Sequence, residues 1–276
     1  MKKQKNKTGT RELAENYVNI QIGCENDCRY CYAKYDVVHR FRTCRAELGQ
    51  QWSVPRINNQ KVDAKYPKFD GRVMFPSTHD ITMESISQYL CVLRKLLDAG
   101  NQVLIVTKPR WQVVSIICEA YKEYKSQILW RFTIGSSDDE TLAFWEPGAS
   151  NFGERLNCLR YAFHSGYQTS VSCEPMLDAF VDHVYSATAE YTTDSFWIGL
   201  MRNVNSRFDQ TGVTDQQQDK FVIPMLKAQS PTVVKAMYEM MRDKPLIKWK
   251  DSVRKMIGQC SRMPRRFCGS RITDGS

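Results

Sequence analysis

Three cysteines fall within eight residues, at Cys24, Cys28 and Cys31, with the spacing C-x3-C-x2-C. Thiolates are soft ligands, and a cluster of them in one loop holds zinc or an iron–sulfur centre. Their number separates the two readings. A structural zinc site takes four protein ligands, and His39 and Cys44 are the nearby candidates for a fourth. A four-iron cluster on three cysteines keeps one iron open to another ligand. Tyr30 precedes the last cysteine and Tyr32 follows it. Upstream, residues 17–23 alternate apolar and polar and predict a strand. The cysteines therefore sit on a loop leaving a strand. A helix is predicted after them over 33–48, with Gly49 as its stop.

The rest of the chain repeats the same alternation. Strands are predicted at 72–75, 102–107, 128–134, 167–173 and 196–200. Between them, helical spacing covers 86–97, 111–124, 151–165 and 179–191. Asn151 with Glu154 three residues on marks a helix start, and Gly100 and Gly166 mark helix ends. Residues 51–69 hold Pro55 and Pro67 and no clear period, and read as a long loop. Beyond 210 only helices are predicted, at 216–228, 232–241 and 246–257. Six strands alternating with helices imply a parallel α/β sheet. The expected architecture is a partial (β/α)6 TIM-like barrel over 15–210. A basic tail over 1–14 precedes it, and a helical, basic extension over 211–276 follows.

Of the 276 residues, 42% are hydrophobic and 25% charged, which are ordinary globular values. No apolar run reaches the ~18 residues of a membrane span, and the basic start lacks the apolar core of a signal peptide. Cys91, Cys118 and Cys158 lie in apolar helical patterns, where a free thiol behaves as a small hydrophobe. A reducing, cytoplasmic setting is expected, with no membrane. The net charge of +9 is uneven. Residues 1–12 carry +4 and residues 244–271 carry +8, so the remainder carries −3. Basic ends on a slightly acidic body suit either a nucleic-acid partner or solvated tails. Cys260 and Cys268 are too few for a second metal centre on their own, and His79, His164 and His183 have no metal spacing.

The cysteine motif, with its aromatic before the third cysteine, resembles the signature of the radical S-adenosylmethionine (SAM) superfamily. Further motifs follow in order: Ser77-Thr78-His79-Asp80 after the second strand, Val106-Thr107-Lys108 after the third, Arg131-Phe132-Thr133-Ile134 on the fourth, Glu146-Pro147-Gly148-Ala149 with Glu154-Arg155-Leu156 following it, and the run from Gly166 to Met176, with Ser172-Cys173-Glu174-Pro175, on the fifth. Together they resemble the spore photoproduct lyase-like branch over roughly residues 17–200. The resemblance implies a [4Fe–4S] cluster on Cys24, Cys28 and Cys31 whose open iron chelates SAM. Reductive cleavage then gives methionine and a 5′-deoxyadenosyl radical. It also implies an external electron donor of flavodoxin or ferredoxin type.

Carried onto this sequence, Lys108 could neutralise the SAM carboxylate. Asp80, Ser77 and Thr78 could meet the ammonium, Thr133 and Ser136 the ribose, and Tyr30 the adenine. Each also has a local reading: Asp80 as a helix N-cap, Lys108 as a wet loop cation, Thr133 as an ordinary strand residue. Glu146 and Glu174, each before a proline, read as loop-fixing or substrate-adjacent. In the namesake lyase a cysteine thiol returns a hydrogen atom to DNA. Ser77 stands at the matching position here. Three functions are carried forward: a radical SAM enzyme on a nucleic acid or other large substrate, one that modifies a peptide or protein, and a zinc-stabilised nucleic-acid-binding protein.

Overall fold

The computed structural model describes residues 9–40 and 51–260. Seven strands form one parallel sheet. They are β1 (Asn16–Tyr17), β4 (Val73–Met74), β5 (Val103–Thr107), β6 (Ile128–Thr133), β7 (Gln168–Cys173), β8 (Ser195–Ile198) and β9 (Ile247–Trp249), in that spatial order. Two further short strands, β2 (Gln21–Ile22) and β3 (Arg56–Ile57), pair antiparallel beside it. The fold is α/β, a parallel half-barrel of TIM-like type. Among the described residues no helix is long and apolar enough to cross a membrane.

Alternation along the strands gives the half-barrel its two faces. Val73, Ile105, Trp130, Phe132, Val171, Phe196 and Ile198 point outward. They pack against Leu93, Leu96 and Leu97 of the helix Ile86–Asp98, Val114 and Ile117 of Trp111–Ala120, and Leu159 of Phe152–His164. The inward set is Met74, Leu104, Val106 and Leu129, which meet Leu13, Ala14 and Tyr17 from the start of the chain. Higher along the same inner face stand polar groups. Arg131, 2% exposed, donates through Nε to Ser170 Oγ at 2.9 Å and lies 3.5 Å from Asp194. The lumen is thus apolar near β4 and β5 and polar toward β7 and β8.

Several sequence expectations change here. The strand over 17–23 divides in two. Val18 N still bonds Met74 O at 3.0 Å, but Asn19 then turns the chain away from the sheet. Its Oδ1 accepts from the N–H groups of Ser77 and Thr78 at 2.8 and 2.9 Å. Residues 51–69 are not merely a loop: they hold β3, the helix Asn59–Asp63 and the buried Trp52. The helix predicted over 33–48 begins as Tyr32–Tyr35 and widens over Asp36–Arg40; its remainder lies outside the described residues. The helix Asp139–Trp145, capped by Asp138 on Thr141 N at 2.8 Å, was not expected at all.

The largest change is β9. Only helices were expected beyond 210, yet Ile247–Trp249 pairs parallel with Phe196–Ile198 and closes that edge of the sheet. Lys250 N donates to Ile198 O at 2.9 Å, and Trp249 packs on Tyr238 with ring centroids 4.8 Å apart. A three-residue strand is too short to show a period of two, and the helices on either side mask it.

Candidate active site

Most of the candidate motifs lie where a strand of the half-barrel ends, which is where α/β barrels place their ligands. Ser77, Thr78 and Asp80 follow β4, Lys108 follows β5, Glu174 follows β7 and Lys250 follows β9. They line one cavity of about 460 Å³, together with Cys24, Cys28, Cys31, Tyr30 and Thr133. Ser136 is not part of that wall. Its hydroxyl donates to Asp178 and accepts from Asp138 N at 2.9 Å.

The cysteine loop is held in place before any ligand arrives. Asn26 is 1% exposed and acts as its peg. Asn26 Nδ2 donates to Asp80 Oδ2 at 2.7 Å, its Oδ1 accepts from Arg110 at 2.9 Å, and its carbonyl accepts from Gly148 N at 3.1 Å. Arg29 fastens the second half of the loop: its N–H bonds Trp145 O at 2.9 Å and its Nε bonds Phe144 O at 3.0 Å. Cys31 Sγ caps Tyr32–Tyr35, accepting from Lys34 N at 3.4 Å. Gly23 permits the entry to the loop with φ of +93°.

Asp80 lines the cavity, but its carboxylate is spent on protein partners. Its carboxylate accepts from Asn26, from Lys108 N at 2.8 Å, from Ile81 N at 2.8 Å and from the Thr107 hydroxyl. It clamps the cysteine loop to the end of β5, and the neighbouring 3-10 turn has Thr82, not Asp80, at its N-cap. Ser77 Oγ accepts from Asn19 at 2.9 Å. Thr133 is buried in the cavity wall, and its carbonyl takes Arg155 Nη1 at 3.1 Å. Tyr30 donates its hydroxyl to Glu146, so its ring is fixed from below.

Lys108 is not a wet loop cation. Its side chain is largely buried, with Nζ 5.6 Å from the centroid of the Tyr30 ring and 3.8 Å from Glu146. Burial works against its charge, but the carboxylates of Glu146 and Asp80 help hold its pKa above the ordinary lysine value. The thiols shift the other way. Burial pushes Cys24 up to about 12, with Asp80 and Cys31 adding to it, and burial likewise raises Cys28 and Cys31. Such thiols keep their protons until a cation arrives to displace them.

Among the described residues no three His, Cys, Asp or Glu side chains are grouped as a single metal ion requires. His79 is occupied, with Nε2 accepting from Ile20 N at 3.3 Å and Nδ1 bonded to Asp80 O at 2.9 Å; burial lowers its pKa to about 4. Cys44, Cys268 and the side chains of His39 and Cys260 lie outside the described residues. Cys173 faces the helices, not the cavity. Sequence reasoning assigned no role to Asn19, Asn26, Arg110 or Arg155. Each acts over more than 20 residues of chain, and no local pattern carries that.

No family model matches the chain. An uncharacterized protein of Acidianus two-tailed virus, ORF301, is 28% identical over 178 residues, covering 60% of this chain. The chain spans 58% of the length of that relative. Among solved structures, spore photoproduct lyase complexed with dinucleoside spore photoproduct is similar with a TM-score of 0.56 at 15% identity, over 90% of this chain and 79% of that one. A cysteine-substituted double mutant of the same enzyme, with bound AdoMet and dinucleoside spore photoproduct, gives 0.52 at 16% identity over 84% and 75%. At these identities the likeness is one of fold.

Proposed function

We propose that this protein is a radical SAM enzyme. In this reading Cys24, Cys28 and Cys31 hold a [4Fe–4S] cluster, and the cavity beside them takes SAM and the reacting part of a large substrate, a nucleic acid. One observation carries the reading: three thiols of a single pegged loop open onto one cavity at the strand ends, with a buried lysine beside them. The donor set fits, being three soft ligands on one loop. If bound there, the cluster would supply the electron for reductive cleavage of SAM.

The chain's own part is binding and orientation. Lys108 offers a cation to a carboxylate, Ser77 and Thr78 offer hydroxyls to the ammonium, and Thr133 borders the ribose. Asp80 keeps the loop in register with Lys108. The electron comes from an external flavodoxin- or ferredoxin-like donor. Anaerobic reconstitution tests the whole. Iron with equimolar sulfide, colour that bleaches on reduction, and release of 5′-deoxyadenosine are expected. Bound zinc without sulfide would replace this reading with the structural-zinc one.

The nucleic-acid proposal moves within the C-terminal segment. Lys250 is buried between Glu12 and Glu174, Arg254 pairs with Glu12, and Lys255 pairs with Asp251. Lys250 is spent inside the fold, and Arg254 and Lys255 are paired at its surface. Residues 261–276, with four arginines and one aspartate, are the better footprint. Removing 261–276 should weaken binding to RNA or DNA and flatten its salt dependence, by about 0.9 in log–log slope for each duplex phosphate that the tail no longer neutralises. The cluster should stay. An unchanged slope would clear this tail of any role, and binding to acidic peptides alone would favour a peptide substrate.

The reaction should differ from that of the lyase whose fold this chain shares. Ser77 lines the cavity where the resemblance places a hydrogen-donating cysteine, and a serine O–H bond is far stronger than a thiol S–H bond. Reduced protein with SAM and a lesion-bearing oligonucleotide should cleave SAM without multiple-turnover release of intact thymines. Efficient repair would mean that another donor, such as Tyr32 at the cavity wall, has taken the thiol's place.

A further inference from the structure

The turn after the helix Asp139–Trp145 carries a carboxylate that is shut off from solvent. Glu146 is 1% exposed and stands among groups from three parts of the chain. Arg155 Nη2 lies 2.6 Å from its Oε2, both side chains fully buried; this is an ion pair, with no N–H aligned on that oxygen. The Tyr30 hydroxyl donates to Oε1. Lys108 Nζ lies 3.8 Å from the same oxygen.

Arg155 does not need Glu146 for its hydrogen bonds. Its Nε and Nη2 donate to Ser150 O at 2.9 and 2.7 Å, and its Nη1 donates to Thr133 O. Nor does burial of the carboxylate require Lys108 and Tyr30, since one guanidinium already offsets its charge. The two contacts on Oε1 therefore serve the groups on the other side. A lysine ammonium is a compact, strongly hydrated charge on a flexible stem. Buried without a counter-charge, it turns toward water or gives up its proton.

We infer that Glu146 is a positioning residue, holding the Lys108 ammonium and the Tyr30 phenol beside Cys28 and Cys31 in the cavity wall. At 3.8 Å the carboxylate fixes the ammonium without occupying its donors. Among the described residues Nζ makes no hydrogen bond, so its N–H groups stay open to a ligand. The geometry stands by itself; that the group held is the SAM carboxylate rests on the function proposed above.

The test uses Glu146→Gln, which keeps the shape and an acceptor for Tyr30 and removes only the charge. In cluster-free protein, a lysine-directed reagent with peptide mapping should label Lys108 several-fold faster in the variant, because the side chain swings into the cavity. Equal labelling overturns the inference. In reconstituted protein, Glu146→Gln and Lys108→Met should each weaken SAM binding by about tenfold or more. The double variant should be no worse than Lys108→Met alone, since Glu146 acts through Lys108. Additive losses would make Glu146 a merely structural residue. If wild-type protein binds no SAM, the cofactor reading fails, and the labelling comparison still decides the role of Glu146. Should Glu146→Gln not fold, Glu146→Asp keeps the charge one methylene short. It should label Lys108 faster than wild type, though less so than the charge-free variant, with the same dependence on Lys108; labelling at the wild-type rate overturns the inference.

Discussion

Replacing Cys24, Cys28 or Cys31 by alanine should remove the iron–sulfur chromophore and all SAM cleavage from reconstituted protein. The three thiols come from one loop and line one cavity, and no described residue stands ready as a substitute. Loss of one soft ligand from three leaves too few to retain the cluster. Cys118 and Cys158 are the controls. Both are buried in the helical layer, on Trp111–Ala120 and Phe152–His164, where burial pushes each thiol up to about 12. Their alanine variants lose only packing, at a cost of roughly 1 kcal/mol for so small a deletion. Iron and sulfide analysis on each variant decides the matter. Full cluster content in Cys28→Ala, or none in Cys118→Ala, would sink the ligand assignment.

Gly148→Ala should be nearly as damaging, although residue 148 touches no ligand in this reading. A Cβ built there would lie 2.0 Å from Glu25 O and 2.9 Å from Asn26 Cα. Those are backbone atoms of the cysteine loop, so no flexible side chain can move aside. Gly148 N also holds Asn26 O, and Gly148 O accepts from Arg110 at 2.7 Å. The methyl group must push the loop off its peg. Overpacking of this kind costs about 1–3 kcal/mol or more, concentrated between Cys24 and Cys28. We expect a lower melting temperature and a cluster content well below wild type in the protein that does fold. Gly153→Ala is the matched control. It lies in the helix Phe152–His164 with its nearest neighbour 3.7 Å away, and should be neutral or slightly stabilising. Equal cluster content in the two variants would show that the loop is not wedged against Gly148.

The candidate motifs were legible in the sequence because their residues are local. C-x3-C-x2-C is a feature of eight consecutive residues, and the strand–helix alternation needs windows of a dozen or so. Fold class follows from that alternation, since parallel strands joined by helices have few ways to pack. Motifs such as Ser77-Thr78-His79-Asp80 and Thr107-Lys108 could be placed at strand ends without coordinates.

Roles within the site were another matter, because they depend on partners far away in the chain. Asp80 reads as a ligand or a cap, and only tertiary structure shows it saturated by Asn26, Thr107, Ile81 and Lys108. Lys108 reads as a loop cation until Glu146 is found beside it, 38 positions on. Ser136 belongs to a motif, yet its hydroxyl goes to Asp178, 42 residues away. Lys250 reads as one more positive charge on a basic tail, and the fold buries it against Glu12, 238 positions earlier. The seventh strand, Ile247–Trp249, has three residues and no period of its own, so its pairing comes entirely from the edge that β8 offers. The sequence by itself determined which groups are present and placed most of them at strand ends. The tertiary structure alone decided which charges are spent on one another, because burial and long-range pairing are properties of the packed chain.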